Sequence, residues 1–261
     1  MIEVYQHEFD GLSRSSELRF HFISDIHAGS RHILENKLDS TIKQIQEDEF
    51  AYWFGLGDLG DWICFSDRRF ENYEMASWMD ISDPWASTID WLEEKLKPIA
   101  GKCLGIVPGN HEYQAKLVSH FPVHKHLAAR LGVLDLGEAC FFRLLFNRGN
   151  GGRLPWDIFM THGWGGGRTG GARVNKLEQL MRDNDAMIYA IGHVHGQLPI
   201  LKSVVRRVSK NKVRYDYRYG LVSGTYLLDS EYERRSGYPA SVIGSPCVTI
   251  VPYHDHMEVK I

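Results

Sequence analysis

The sequence predicts a layered α/β structure, on three observations. Short apolar runs alternate with stretches at helical spacing as far as residue 191. Each of those runs ends in a loop rich in Gly, Asp, Asn or His. Beyond residue 196 the pattern changes to strands and turns without helical periodicity. Strands alternating with helices build a sheet flanked by helices, and the strand-rich remainder is expected to complete a second sheet packed on the first.

The elements follow in order. Residues 18–24 (LRFHFIS) alternate as a strand and meet Asp25-Ile26-His27. Leu34, Leu38, Ile42 and Ile45 recur at helical spacing, so 34–48 reads as an amphipathic helix. The run 50–54 (FAYWF) is a buried strand that enters Gly-Leu-Gly-Asp. Asp83-Pro84 opens another helix, with Trp85, Ile89, Leu92 and Leu96 on one face. Residues 104–107 form a strand running into Pro108-Gly109-Asn110-His111. Residues 156–161 (WDIFMT) run into His162-Gly163. Val174, Leu177, Leu180 and Met181 mark a helix, and 186–191 (AMIYAI) is a strand entering Gly192-His193-Val194-His195.

Composition narrows the function. The 261 residues are 43% hydrophobic and 24% charged, ordinary globular usage that excludes a disordered chain. One domain spanning 1–261 is expected, with an aromatic-rich insertion or lid at about 60–90. No run of about 18 apolar residues occurs, which excludes a membrane-spanning helix and a membrane partner. The N-terminal stretch lacks a basic segment followed by an apolar one, so no signal peptide is expected. Cys64, Cys103, Cys140 and Cys247 are far apart, which argues against a cysteine zinc site or a disulfide framework and makes the cytoplasm the expected location. A net charge of −3 gives no global field for nucleic acid, so phosphate binding must be local.

The chemistry lies in the loops. In layered α/β sheets, ligands sit at the carboxyl ends of strands, so the polar loops should converge. They carry Asp25 and His27; Asp58 and Asp61; Asn110, His111 and Glu112; His162; and His193 and His195. Imidazole, carboxylate and one amide oxygen form a mixed ligand set suited to manganese, iron, zinc, nickel or cobalt. In an extended segment residues i and i+2 point the same way, so Asp25 with His27, and His193 with His195, should each present a pair of ligand groups. Gly57, Gly109, Gly163 and Gly192 should let the backbone turn beside them.

The ordered set DIH, GDLGD, GNHE, THG, GHVH resembles the calcineurin-like metallophosphoesterase superfamily, from about residue 18 to residue 200. The resemblance implies a four-layer α/β/β/α sandwich holding two divalent metal ions, manganese first among the candidates. It implies that Asp25, His27 and His195 bind the first metal, that Asn110, His162 and His193 bind the second, and that Asp58 bridges. It makes His111 the catalytic histidine beside the leaving group, Asp61 the acid that orients it, and Glu112 a supporting residue. The implied reaction is in-line attack on a phosphate ester by a metal-bridging hydroxide.

Departures from the pattern bear on the substrate. The serine/threonine phosphoprotein phosphatases of the superfamily carry Asp-Arg-Gly where this chain has Asp61-Trp62-Ile63. They also place an arginine shortly after Gly-Asn-His-Glu, where Tyr113-Gln114-Ala115-Lys116 follows here. The lipid-A pathway pyrophosphatases carry Gly-Asn-Arg in place of Gly-Asn-His. The opening DIHAGSR is similar to the double-strand-break repair nucleases of the family. The expected activity is therefore a phosphodiesterase acting on nucleic acid or nucleotides. A phosphomonoesterase is the alternative within enzymes, and a non-catalytic scaffold the alternative outside them.

Four further features are weighed. In the loop 163–173 (GWGGGRTGGAR), Arg168 or Arg173 could replace the missing phosphate clamps, or both could be solvated on a surface loop. Trp53, Trp62, Trp78, Trp85 and Trp91, with Phe65, Phe70 and Tyr73, could form a wall for a base, although such aromatics are more often packed core. His120, His124 and His126 read as structural histidines on or before a helix. The run Arg206, Arg207, Lys210, Lys212, Arg214 could steer a polyanion, with a solvated strand edge the usual explanation.

Overall fold

The structure, a computed structural model, describes residues 2–63, 74–148, 151–166, 169–228 and 240–253, with the backbone alone of 256–260. The fold is a four-layer α/β/β/α sandwich, as the sequence predicts. One sheet has five strands in the order β11 (His256–Lys260), β10 (Cys247–Val251), β2 (Leu18–Ile23), β3 (Ala51–Gly55), β4 (Cys103–Ile106). Its strands β2, β3 and β4 run parallel, and β10 is antiparallel to β2. The other sheet has six strands in the order β1 (Glu3–Leu12), β5 (Ala139–Arg148), β6 (Arg153–Thr161), β7 (Ile188–Ile191), β9 (Lys212–Val222), β8 (Leu198–Ser209).

The core between the sheets is aromatic. Phe20, Phe22 and Phe54 from one sheet meet Phe142, Phe146, Trp156 and Ile158 from the other. The Phe54 and Phe142 rings stand edge to face with centroids 5.0 Å apart. Outside the five-stranded sheet, Ile23, Trp53 and Ile106 pack on α1 (Glu35–Glu47), α2 (Pro84–Leu96) and α4 (Val123–Leu131). Helix α1 buries Leu38, Ile42 and Ile45, three of the positions its spacing predicts. Helix α2 begins at Pro84 and is capped by the Asp83 side chain, which accepts from the Ala86 N–H. Outside the six-stranded sheet, Phe159, Tyr189 and Ile191 cover Leu177, Leu180 and Met181 of α5 (Gly170–Asp183). Full burial of each such side chain stabilises the fold by about 1.5–3 kcal/mol.

Some elements differ from the sequence reading. Strand β1 reads as polar because only Phe9 and Leu12 of its ten residues are buried; it lies at a sheet edge and pairs only with β5. Helix α3 (Asn110–Ser119) begins inside the segment read as a loop, and its weak pattern buries only Glu112 and Ala115. The tryptophans from Trp53 to Trp91 are packing residues. Trp53 Nε1 donates to the Ile99 carbonyl at 2.8 Å, Trp85 Nε1 donates to the Trp62 carbonyl, and Trp78 stacks on Trp91. Cys64, Phe65, Phe70 and Tyr73 lie outside the described residues, as does most of the first half of the segment 60–90.

The histidines 120–126 are structural. His120 closes α3 in a left-handed conformation, His124 pairs with Asp135 at 3.0 Å, and His126 lies against Phe121. The basic run occupies the ribbon of β8 and β9, which continues well past β7: only 219–222 of β9 pair with β7, while β8 and β9 stay paired as far as Ser209 and Lys212. No helix among the described residues is long and apolar enough to cross a membrane.

Candidate active site

Strands β2, β3, β4, β6 and β7 release their chains at the same edge of the sandwich, and backbone hydrogen bonds lace the loops together there. The Asp25 N–H donates to the Gly57 carbonyl at 3.0 Å, His27 to Asp58 at 3.1 Å, Asp61 to Ala28 at 2.8 Å, and Gly192 to His162 at 2.9 Å. The side chains of Asp25, His27, Asp58 and His162 are all almost fully buried.

The loops are not extended. Asp25, His27, Asp58, His193 and His195 all have positive φ, between 46° and 70°. The pairs Asp25/His27 and His193/His195 therefore reach one pocket through left-handed turns and not through the alternation of a strand. Asp and His tolerate that conformation better than most residues, at some cost in strain. Of the four glycines expected to turn the chain, Gly57 (φ 86°) and Gly163 (φ 102°) do so. Gly109 and Gly192 serve a different need. A Cβ on Gly109 would overlap the Asp58 carboxylate, and one on Gly192 would overlap Ser24 and Asp25.

Three groups of ligand atoms lie within reach of a single ion: Asp25, His27 and His195; His27, Asp58 and His111; and Asp58, His162 and His193. In the first group His195 Nε2 lies 3.2 Å from both Asp25 Oδ1 and His27 Nε2. Asp25 Oδ2 accepts from Ser24 Oγ and from the His193 N–H at 2.9 Å, whereas the buried Oδ1 accepts no hydrogen bond from the described residues. In the third group His162 Nδ1 faces the Leu56 carbonyl at 2.6 Å, as a donor would. That turns Nε2 toward Asp58 Oδ2 at 3.0 Å and Asn110 Oδ1 at 3.1 Å. A backbone carbonyl that fixes the ring in this way is typical support for a metal-binding histidine.

His111 stands beside these groups. Its Nδ1 lies 2.7 Å from the Asp61 carbonyl and 3.1 Å from Asp61 Oδ1. The same Oδ1 is 3.2 Å from His27 Nδ1, so Asp61 orients two histidines at once.

Charge is balanced inside the cluster. Burial raises the Asp25 carboxyl, but neighbouring His195 brings it down to about 2. Burial opposes a charge on His162, yet the Asp58 carboxylate carries that imidazole up to about 10. Burial together with the charge of His162 pushes His193 down to about 4. Against burial, His111 and His27 hold the Asp61 carboxyl well below its ordinary value. Converging imidazole nitrogens, two buried carboxylates and an orphaned carboxylate oxygen fit a borderline divalent cation.

Glu112 does more than its position in the motif suggests. It is buried, and its carboxylate accepts from the N–H groups of Asp58 (3.0 Å), Leu59 (2.9 Å) and Gly109 (2.8 Å) and from Trp62 Nε1 (2.9 Å). Its place three residues after Gly109 at the start of α3 is the sequence signal for such a reach back to the helix entry. Of the two arginines suggested as clamps, Arg168 lies outside the described residues. Arg173 lies in the second turn of α5 with its guanidinium against Gly196, next to His195, where a Cβ would overlap it.

A family model described as calcineurin-like phosphoesterase matches residues 18–197. A comparison with curated proteins found no match. Among solved structures, the chain is similar to a predicted phosphoesterase of Streptococcus pneumoniae, at 14% identity and a TM-score of 0.34, over 90% of this chain and 84% of that one. It is also similar to a Vps29 double mutant of Entamoeba histolytica, at 14% identity and a TM-score of 0.39, over 93% and 98% of the two chains. A third is the nuclease MPE of Pseudomonas putida, at 13% identity and a TM-score of 0.36, over 92% and 87%. The family match covers the stretch that carries every one of the converging loops, and the chain belongs to the calcineurin-like phosphoesterase family.

Proposed function

We propose that the protein is a two-metal phosphodiesterase acting on nucleic acid or nucleotides. The observation that carries this reading is the meeting of three ligand groups in one buried pocket, with His27 shared by the first and second and Asp58 by the second and third. Asp25, His27 and His195 would hold one cation; Asn110, His162 and His193 the other; and Asp58 would serve both. Divalent cations bound there would supply Lewis acidity and a water acidic enough to lose its proton near neutral pH.

The protein's own residues do the rest. Asp61 accepts from His111 and fixes its ring, so His111 can hold a proton at its other nitrogen and deliver it to a leaving oxygen. The Asp25 and Asp58 carboxylates keep the pocket anionic before cations arrive. Ser24 and the His193 N–H anchor Asp25, and the His111 N–H at 2.9 Å anchors Asp58 Oδ1. The diester preference rests on the missing phosphatase arginines around Asp61 and Glu112.

The test is metal analysis of the purified protein, then turnover with manganese on bis-p-nitrophenyl phosphate, p-nitrophenyl phosphate, a cyclic nucleotide and single- and double-stranded DNA. Two metal equivalents and faster diester cleavage are expected. A preference for the simple monoester would replace the diester reading with a phosphomonoesterase, and a chain that takes up no metal and turns over nothing would be a scaffold.

A further inference from the structure

Two cations stand beside the pocket with no acid among the described residues to meet them. Arg19, Arg130, Arg143, Arg182 and Arg218 each pair with a carboxylate. Arg173 does not: its Nε is buried without a hydrogen-bond partner, and no carboxylate among the described residues reaches the guanidinium. One turn further along α5, Lys176 is 9% exposed, and among the described residues its Nζ donates only to the Gly165 carbonyl. Burial lowers the pKa of both groups, and the charge of Arg173 lowers that of Lys176 further.

Residues three apart on a helix are neighbours, so this is a like-charge pair that destabilises α5. Burying Lys176 and partly burying Arg173 without an anion among the described residues carries a further desolvation cost. Both border the turn 193–196. The Arg173 guanidinium lies against Gly196, the residue after His195, and Lys176 follows one helical turn later on the same helix. The strand-end loops thus hold carboxylates and imidazoles, while the adjoining face of α5 holds positive charge that no carboxylate among the described residues meets.

We propose that Arg173 and Lys176 form a second phosphate subsite, which holds the phosphate next to the scissile one in substrates carrying at least two. The guanidinium meets phosphate oxygens as a fork and the ammonium as a point charge. Gly196, with no side chain, leaves the room that the guanidinium occupies. The assignment of the scissile bond rests on the diester reading above, whereas phosphate binding by the pair does not.

Two measurements test it. Calorimetry of inorganic pyrophosphate binding to metal-free protein should show R173M and K176M each weakened about tenfold, the loss of one charge-assisted contact. K176R should restore binding, since it keeps the charge. Equal affinity in wild type and both methionine variants, with unchanged melting curves, would overturn the subsite. In the manganese-loaded protein, KM for a dinucleotide bearing an extra terminal phosphate should fall below that for the plain dinucleotide, and R173M or K176M should abolish the difference. A loss of kcat on both dinucleotides alike would place these side chains at the scissile phosphate and overturn the assignment. If wild type cleaves neither dinucleotide, the diester reading fails while the calorimetry still decides the subsite.

Discussion

The strand-end loops and the β8–β9 ribbon are opposite solutions to placing polar residues. In the loops, nearly every polar group is buried and held by several partners. In the ribbon, Leu201, Val205, Val213, Tyr215 and Tyr217 are more than half exposed, and Arg206 and Arg214 meet Asp216 in solvent. The loops hold left-handed conformations because neighbouring loops fix both sides of each one; the ribbon holds a regular ladder that any alternating sequence could adopt. Buried constraint concentrates sensitivity, so substitutions should matter in the first region and hardly register in the second.

The largest effect should come from Asp58→Asn. Metal content and turnover should vanish together, because that carboxylate faces His162 on one side and accepts the His111 N–H on the other. Retained metal with normal turnover would show that the loops are less constrained than their geometry implies. His111→Ala should keep its metal and lose about 10²–10⁴-fold in kcat, measured on any cleaved diester. Glu112→Ala should lower stability by about 3 kcal/mol or more in denaturant unfolding, since it strands buried N–H donors on two loops.

The scaffold below the loops has its own sensitivity. His21 in β2 is 8% exposed, and burial pushes it down to about 4. The unfolded chain then binds the proton first, so stability is full above about pH 6.5 and falls as pH drops toward 4, by up to about 3 kcal/mol. Unfolding of His21→Leu across that range should show a flatter profile. At the far end of the comparison, Tyr215→Ser in the ribbon should change stability by less than about 0.5 kcal/mol, and a larger change would mean that the ribbon is covered by something in solution.

Much of this was legible in the sequence. The strands that carry site residues are short and apolar, and each is punctuated by Gly with Asp or His, so the positions of Asp25, Asp58, Asn110, His162 and His193 could be read from pattern alone. What pattern could not convey was three-dimensional partnership. Period-two reasoning paired Asp25 with His27 and His193 with His195 on an extended backbone, whereas all four are left-handed, a conformation that leaves no periodic trace. Asp61 was legible as a partner of His111 but not of His27, which is 34 residues away. Lys176 hid in an ordinary amphipathic helix, since nothing local distinguishes a buried lysine from a solvated one. Strand β1 was invisible because its polar residues face solvent at a sheet edge.

The Glu112 carboxylate works as a weld. It joins the turn after β3, the indole of Trp62 and the first turn of α3 into one rigid piece, which carries Asp58, Asn110 and His111. That piece cannot hinge without leaving an acid and several amides dry and unmatched. A closing movement over a substrate that keeps those bonds intact therefore carries Asp58, Asn110 and His111 together, as a single jaw.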